Sequence, residues 1–429
     1  MLVIPFLSGS FLHLVTHNST TTEQLPAKVN FIPIYYLSFS GDFLCSLMIV
    51  GCVLVGNQLG LTGIITGLLG SAYGLSYMAS PTICGRISDK IGRRKSMSIT
   101  SIGFTAIAAA FIAFPANVPL LIIGQIGVGI LYGFWWCSVE AFISENSTPV
   151  NHQVKVNKFC ISWSIGYMVG PFLGPVLGQI DAVYSFVILL VGSIVSLLVI
   201  LFFFPASTPR EKEMITMNET ASLETTTSNG TGITSIKLAS MILVFTIFTY
   251  AFAKSFIIGL FPDIAENPPG ITNSPQHIGW NGLETGIALL VFGFARTITF
   301  IIQNRFKNKM ISVRVMLAIL LSMSGFLFII TTDFFTSLIF FAIIGILAGL
   351  VYTMTLELLL KINEQAKGKI AGFFESSIGI GTFSSPIIGG IVLGASTYTT
   401  AFIVFASIST ILAFLACILL LIMFKKQNK

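Results

Sequence analysis

The chain is 429 residues long, 54% hydrophobic and only 9% charged, and its mean hydropathy of +0.90 describes a polypeptide whose solvent is mostly lipid. That balance excludes a soluble globular protein. The formal charge of +6 does not point to nucleic acid either, because the basic residues gather in short gaps between apolar runs, where topology and anionic headgroups account for them.

Residues 1–30 form a leader whose apolar start, 1–15, is too short to span a bilayer and lacks a basic flank, so no signal peptide is expected. Apolar segments long enough to cross follow at 31–56, 61–83, 96–114, 118–142, 158–179 and 183–204. Residues 205–237, rich in Thr, Ser, Glu and Asn, read as a polar linker. Six more segments follow at 238–262, 281–303, 313–331, 334–357, 370–395 and 398–424, with a basic tail at 425–429. The fold class is therefore an all-α membrane protein of twelve transmembrane helices in two six-helix bundles, 31–204 and 238–424.

All but two of the 23 Lys and Arg residues fall in the leader, the tail and alternate gaps, including 84–96, 205–237 and 303–314. Cytoplasmic loops retain such residues, so both termini are expected in the cytoplasm of a multi-pass protein of the cell membrane. The two exceptions, Lys254 and Arg296, lie within predicted spans, as does Asp42. A charge in mid-span costs roughly 2.5–3.5 kcal/mol on insertion scales, so each needs a partner or a wet cavity. Helical spacing puts Ser38, Asp42, Cys45 and Ser46 on one stripe of the first span and Thr246, Tyr250 and Lys254 on one stripe of the seventh. Arg296 shares a face of the eighth with Thr285, Thr299 and Gln303. Glu375, a turn and a half into its span, is taken as bonding near the loop at 84–96.

Six cysteines without CxxC spacing and four histidines confined to the leader and loops supply neither a disulfide framework nor a metal site, and no cofactor is called for. No GxxxxGK[ST] loop offers a seat for ATP, and no nucleophile elbow or catalytic dyad suggests an enzyme.

The halves repeat each other. Gly166 to Gly174, with Pro171 between, parallels Gly381 to Gly389 around Pro386, and Glu140 and Glu357 end the fourth and tenth spans upstream of these prolines. Glycines 166, 170, 174 and 178 lie four apart, on one face that lets a neighbouring helix approach closely. The segment between the second and third spans runs Gly85-Arg-Ile-Ser-Asp89-Lys-Ile-Gly92-Arg93-Arg94. In this pattern and position it resembles the signature loop of the major facilitator superfamily, and the resemblance covers about residues 31–424.

That resemblance implies two pseudo-symmetric bundles, the major facilitator fold, moving a small solute by alternating access. It also implies that Gly85, Asp89, Gly92, Arg93 and Arg94 form a conformational latch on the cytoplasmic side, for which Glu140 is the expected partner of Arg93. The first and seventh spans then face each other across a central cavity, making Asp42 and Lys254 an ion pair between the halves. Asp42, Lys254, Arg296, Tyr250 and Trp136 are the expected solute or coupling residues. The glycine face with Pro171 is similar to the Gly-Pro motif of proton-coupled antiporters in the superfamily. The fourth span, with Gln125 among its glycines, lacks the Arg of the family's proton-coupling motif. The expected function is solute transport, led by proton-coupled drug or metabolite efflux, with protons and the lipid bilayer as partners. A small organic anion held by Lys254 and Arg296 is the alternative. A non-transporting receptor or scaffold would be signalled by a long soluble tail or extracellular domain, and the chain shows neither.

Overall fold

The computed structural model of the chain describes residues 30–147, 152–204, 230–271, 274–303, 333–362 and 367–427. The ninth predicted span, most of the linker and the basic gap from 304 to 314 lie outside the described residues. The first half comprises α1 (Ile32–Gln58), α2 (Ile64–Leu69), α3 (Ala72–Tyr77), α4 (Ser80–Ile91), α5 (Arg93–Ala113), α6 (Val118–Glu145), α7 (His152–Gly178) and α8 (Val183–Phe203). The second comprises α9 (Gly230–Gly259), α10 (Phe261–Ala265), α11 (Gly282–Gln303), α12 (Phe334–Ile362), α13 (Lys367–Ala395) and α14 (Tyr398–Gln427). Among the described residues ten helices are long and apolar enough to cross a membrane.

The second predicted span is not one helix. It breaks at Gly70-Ser71 and at Met78-Ala79 into α2, α3 and α4, because it crosses the second half at backbone distance. A Cβ on Gly70 would stand 1.7 Å from the Gly259 carbonyl oxygen, and one on Gly67 2.5 Å from that of Pro386. The loop expected at 84–96 is also mostly helical. α4 runs to Ile91 and α5 starts at Arg93, so a single residue turns the chain, Gly92 at φ 91°. Gly85 sits inside α4, with its nearest neighbour, Cys137 Sγ, 3.7 Å from a notional Cβ, so it makes no turn.

Burial sorts the helices into layers. In α1 89% of the most apolar stretch is buried, against 28% in α8, whose Val191, Leu198 and Phe202 stay exposed as a lipid face. α7 lies along α1 in step, with notional Cβ atoms on Gly166, Gly170 and Gly174 standing 2.1 Å from the Phe39 oxygen, 2.7 Å from the Phe43 oxygen and 2.5 Å from Val50 Cγ1. Pro171 and Pro175 are accommodated within α7. The second half repeats the arrangement, with Gly381 of α13 against Phe252 and Phe248 of α9 and Gly389 against Phe256 and Leu260.

The halves meet along two crossings, α7 on α11 and α13 on α2 and α3. Both are built from glycine. Gly282 and Gly286 approach the Pro175 and Phe172 carbonyls, while Gly63, Gly67 and Gly70 meet Gly394, Pro386 and Gly259. Most of these contacts lie at the end of the bundle away from Gly92, the far end, which they seal.

Candidate functional site

Between the halves lies a cavity of about 60 Å³. Its walls come from both repeats: Asp42 and Cys45 of α1, Tyr73 and Tyr77 of α3, Tyr132, Trp136 and Glu140 of α6, and Phe159, Trp163 and Tyr167 of α7. The second half supplies Tyr250 and Lys254 of α9, Arg296 of α11, Tyr352 of α12, and Glu375 and Ile378 of α13. The expected solute residues Asp42, Tyr250, Lys254, Arg296 and Trp136 thus share one space.

Most of the polar stripes read from spacing are absorbed by their own helices. Ser38 and Ser46 donate to the carbonyls of Ile34 and Asp42 at 2.7 and 2.6 Å, and Thr246 and Thr299 to those of Ile242 and Ala295 at 2.9 and 3.0 Å. The ionisable groups remain. Asp42 is 6% exposed and accepts a hydrogen bond from the Tyr132 hydroxyl. The Lys254 ammonium, 8% exposed, stands 4.5 Å over the Tyr167 ring. Among the described residues no ion pair joins the two, so the expected bridge between halves is not made in this conformation. The tyrosine hydroxyl has taken the carboxylate, and an aromatic face has taken the ammonium.

Arg296 is 1% exposed, and its guanidinium lies over the rings of Tyr167 and Trp163 at 4.6 and 5.2 Å. The Tyr250 hydroxyl lies against it, yet among the described residues its Nε and Nη2 donors have no partner. Buried cationic donors left unpaired cost far more than neutral ones, so this side of the cavity carries positive charge that its neighbours do not compensate. Across the cavity Tyr77 donates to Glu375 Oε2 at 2.6 Å, joining α3 to α13 and so one half to the other.

Glu375, expected to bond near the basic loop, lines the cavity instead, as does Trp163. The charge of Glu375 within an apolar run was the available signal, the same one that marked Asp42. Apart from Tyr250, which shares a stripe with Lys254, the tyrosines carried none, since a Tyr in a span reads equally as packing.

The expected partner of Arg93 also changes. Arg93 is buried, pairs with Asp89, and bonds Glu145 Oε1 and Ser88 Oγ at 2.9 Å each. Glu140 points into the cavity instead. Five residues along a helix advance about 7.5 Å and turn about 140°, which separates the two carboxylates of α6. Arg94 donates to the Leu201 carbonyl, so the partners seen for this loop lie in the first half.

The sequence pattern of the Major Facilitator Superfamily matches residues 34–242 and again residues 243–428, once for each half. The inner membrane metabolite transport protein YgcS of Escherichia coli (strain K12) is 28% identical over 109 residues, 25% of this chain and 24% of that protein; the chain thus matches about a quarter of its length. The crystal structure of the human organic anion transporter MFSD10 superposes with a TM-score of 0.61 at 15% identity, over 89% of this chain and 98% of the other. The nucleoside transporter NupG gives 0.66 at 14% over 90% and 98%, and a D-xylose-proton symporter 0.67 at 14% over 89% and 95%, likenesses of fold alone. With two helical halves enclosing a central cavity and the pattern matched across both, the chain belongs to the Major Facilitator Superfamily.

Proposed function

We propose that this transporter moves a small organic anion by alternating access, with protons as the coupling ion. The observation that carries the reading is Arg296, wholly buried on the cavity wall with two guanidinium donors unpartnered and Lys254 beside it on the shared Tyr167 ring. A carboxylate or phosphate would satisfy that fork in a way a neutral or cationic solute would not. The cavity, at about 60 Å³ and walled by aromatic rings, suits a small solute better than a drug-like one. Proton coupling is supported by Asp42, Glu140 and Glu375 in the same space, since acids beside mobile cations can exchange a proton for an anion's charge. We place the basic-loop end in the cytoplasm of the cell membrane, with both termini on that side.

Purified full-length protein in liposomes, offered small carboxylates, neutral sugars and cationic dyes with and without a pH gradient, tests this. Carboxylates should be carried, and Arg296→Lys should raise the apparent KM about ten- to a hundredfold, the loss of one charged hydrogen bond worth about 1.5–3 kcal/mol. Transport confined to neutral or cationic solutes would overturn the assignment.

A further inference from the structure

A second set of ionisable groups lies at the far end, away from the central cavity. Asn57, the penultimate residue of α1 and 3% exposed, donates through Nδ2 to Asp263 Oδ1 at 3.1 Å and to the Glu266 carbonyl at 3.0 Å. This clasp joins the first half to the segment that follows α9. The segment is tied into the second half, for Ile278 N–H donates to the Ile264 carbonyl at 2.7 Å and Trp280 N–H to that of Ala265 at 2.7 Å. Asp263 is 0% exposed, and among the described residues its Oδ2 has no partner; neither has Glu266 Oε1. Thr285 lies beside Glu266, and its hydroxyl donates to the Asn281 carbonyl at 3.0 Å.

We infer that Asp263 and Glu266 form a proton-binding gate: protonated, they sit stably in the closed far end around Asn57, and opening that end exposes them to water and releases their protons. Two neighbouring buried carboxylates cannot both stay ionised without a cation. Among the described residues no cation faces them. From α1 the facing polar group is Asn57, and from α11 it is Thr285. The other acids and the histidine described at this end are engaged elsewhere: His277 with Ser274 at 2.8 Å, Asp181 with the Val183 N–H at 2.9 Å, Glu284 with the Asn281 N–H at 2.9 Å and Asp333 with the Thr336 N–H at 2.8 Å.

Burial pushes the Asp263 carboxyl up to about 7, against a smaller lowering by Asn57. Burial pushes Glu266 up to about 8, opposed by Thr285 and reinforced by Asp263. In the open arrangement both would return to ordinary values near about 4. Because the closed form has the raised values, closing takes up protons between these limits. Acidity therefore favours the sealed far end, and the advantage is lost as pH rises through 7 and 8.

Nitroxide labels at Thr62→Cys and Ile271→Cys, exposed positions on opposite halves, report the width of this end in full-length protein whose native cysteines have been replaced. Pulsed electron–electron distances at a series of pH values should show the closed-to-open ratio falling by up to about tenfold per pH unit for each proton released. Asp263→Asn with Glu266→Gln should remove that dependence and leave the end closed at alkaline pH. If the double variant does not assemble, Glu266→Gln alone should reduce the slope. The infrared band of protonated carboxyl groups should also shrink between acid and alkaline samples, and less so in Asp263→Asn. Distances independent of pH in the unsubstituted carboxyl background, or the same dependence in the double variant, would overturn the gate.

Discussion

Arg93 and its neighbours show how much turns on a step of five residues. Glu145 meets the guanidinium and Glu140 meets the cavity, so the two acids of α6 should fail differently when neutralised. Glu145→Gln removes a charged hydrogen bond from a buried arginine and is expected to lower stability by about 1–3 kcal/mol, read as a drop in thermal unfolding temperature. Glu140→Gln should leave unfolding near normal and change the pH profile of transport. A double-mutant cycle on stability should find coupling for Arg93 with Glu145 and additivity for Arg93 with Glu140. Asp42, Lys254 and Arg296 were legible in the sequence because a charge in an apolar run demands an explanation. Their partners were not, because the groups that take them, Tyr132 and Tyr167, stand on other helices, and helical spacing orders residues only within one helix. The same limit hid Glu375, whose partner Tyr77 comes from the opposite half.

Hydropathy located most of the membrane-spanning elements, and it failed where backbone geometry overrode composition. Residues 61–83 are apolar enough to read as one helix, yet glycine contacts with α9 and α13 break them into short turns of helix, and no side chain announces a crossing made by backbone. The last residues of the segment 205–237 are helical, since α9 begins at Gly230. Within the signature segment the two glycines are not equivalent. Gly92→Ala forces an L side chain to φ 91° and should cost about 1–3 kcal/mol, whereas Gly85→Ala enters ordinary contact space and should be silent. Thermal unfolding of both variants checks this; equal losses would mean that Gly85 has a role its surroundings do not reveal. On α7, Gly170→Leu would drive a side chain into the Phe43 carbonyl and Ser46, so transport and stability should both fall.

The alternation of basic and charge-free gaps makes a claim about the molecule as a whole. Ser222, outside the described residues, belongs to the segment 205–237 read as cytoplasmic. A cysteine introduced there should resist a membrane-impermeant thiol reagent in intact cells and react in inside-out vesicles; labelling in intact cells would reverse the proposed orientation. The two-half architecture was legible from the repeated Gly-Pro segments, because like sequences pack alike: Gly166 rests on Phe39 as Gly381 rests on Phe248. How the halves touch was not, since it depends on surfaces that meet only after each half has folded. Those surfaces have a mechanical consequence. At the far end Gly63 meets Gly394 and Gly70 meets Gly259 with little but main chain on either side, so closing freezes few side-chain rotamers, while the attraction dies away within about an ångström of separation. Such a closure has a short throw, with almost no pull until the last moment and a firm hold after it. Half-shut arrangements would have neither the entropy of the open form nor the cohesion of the shut one.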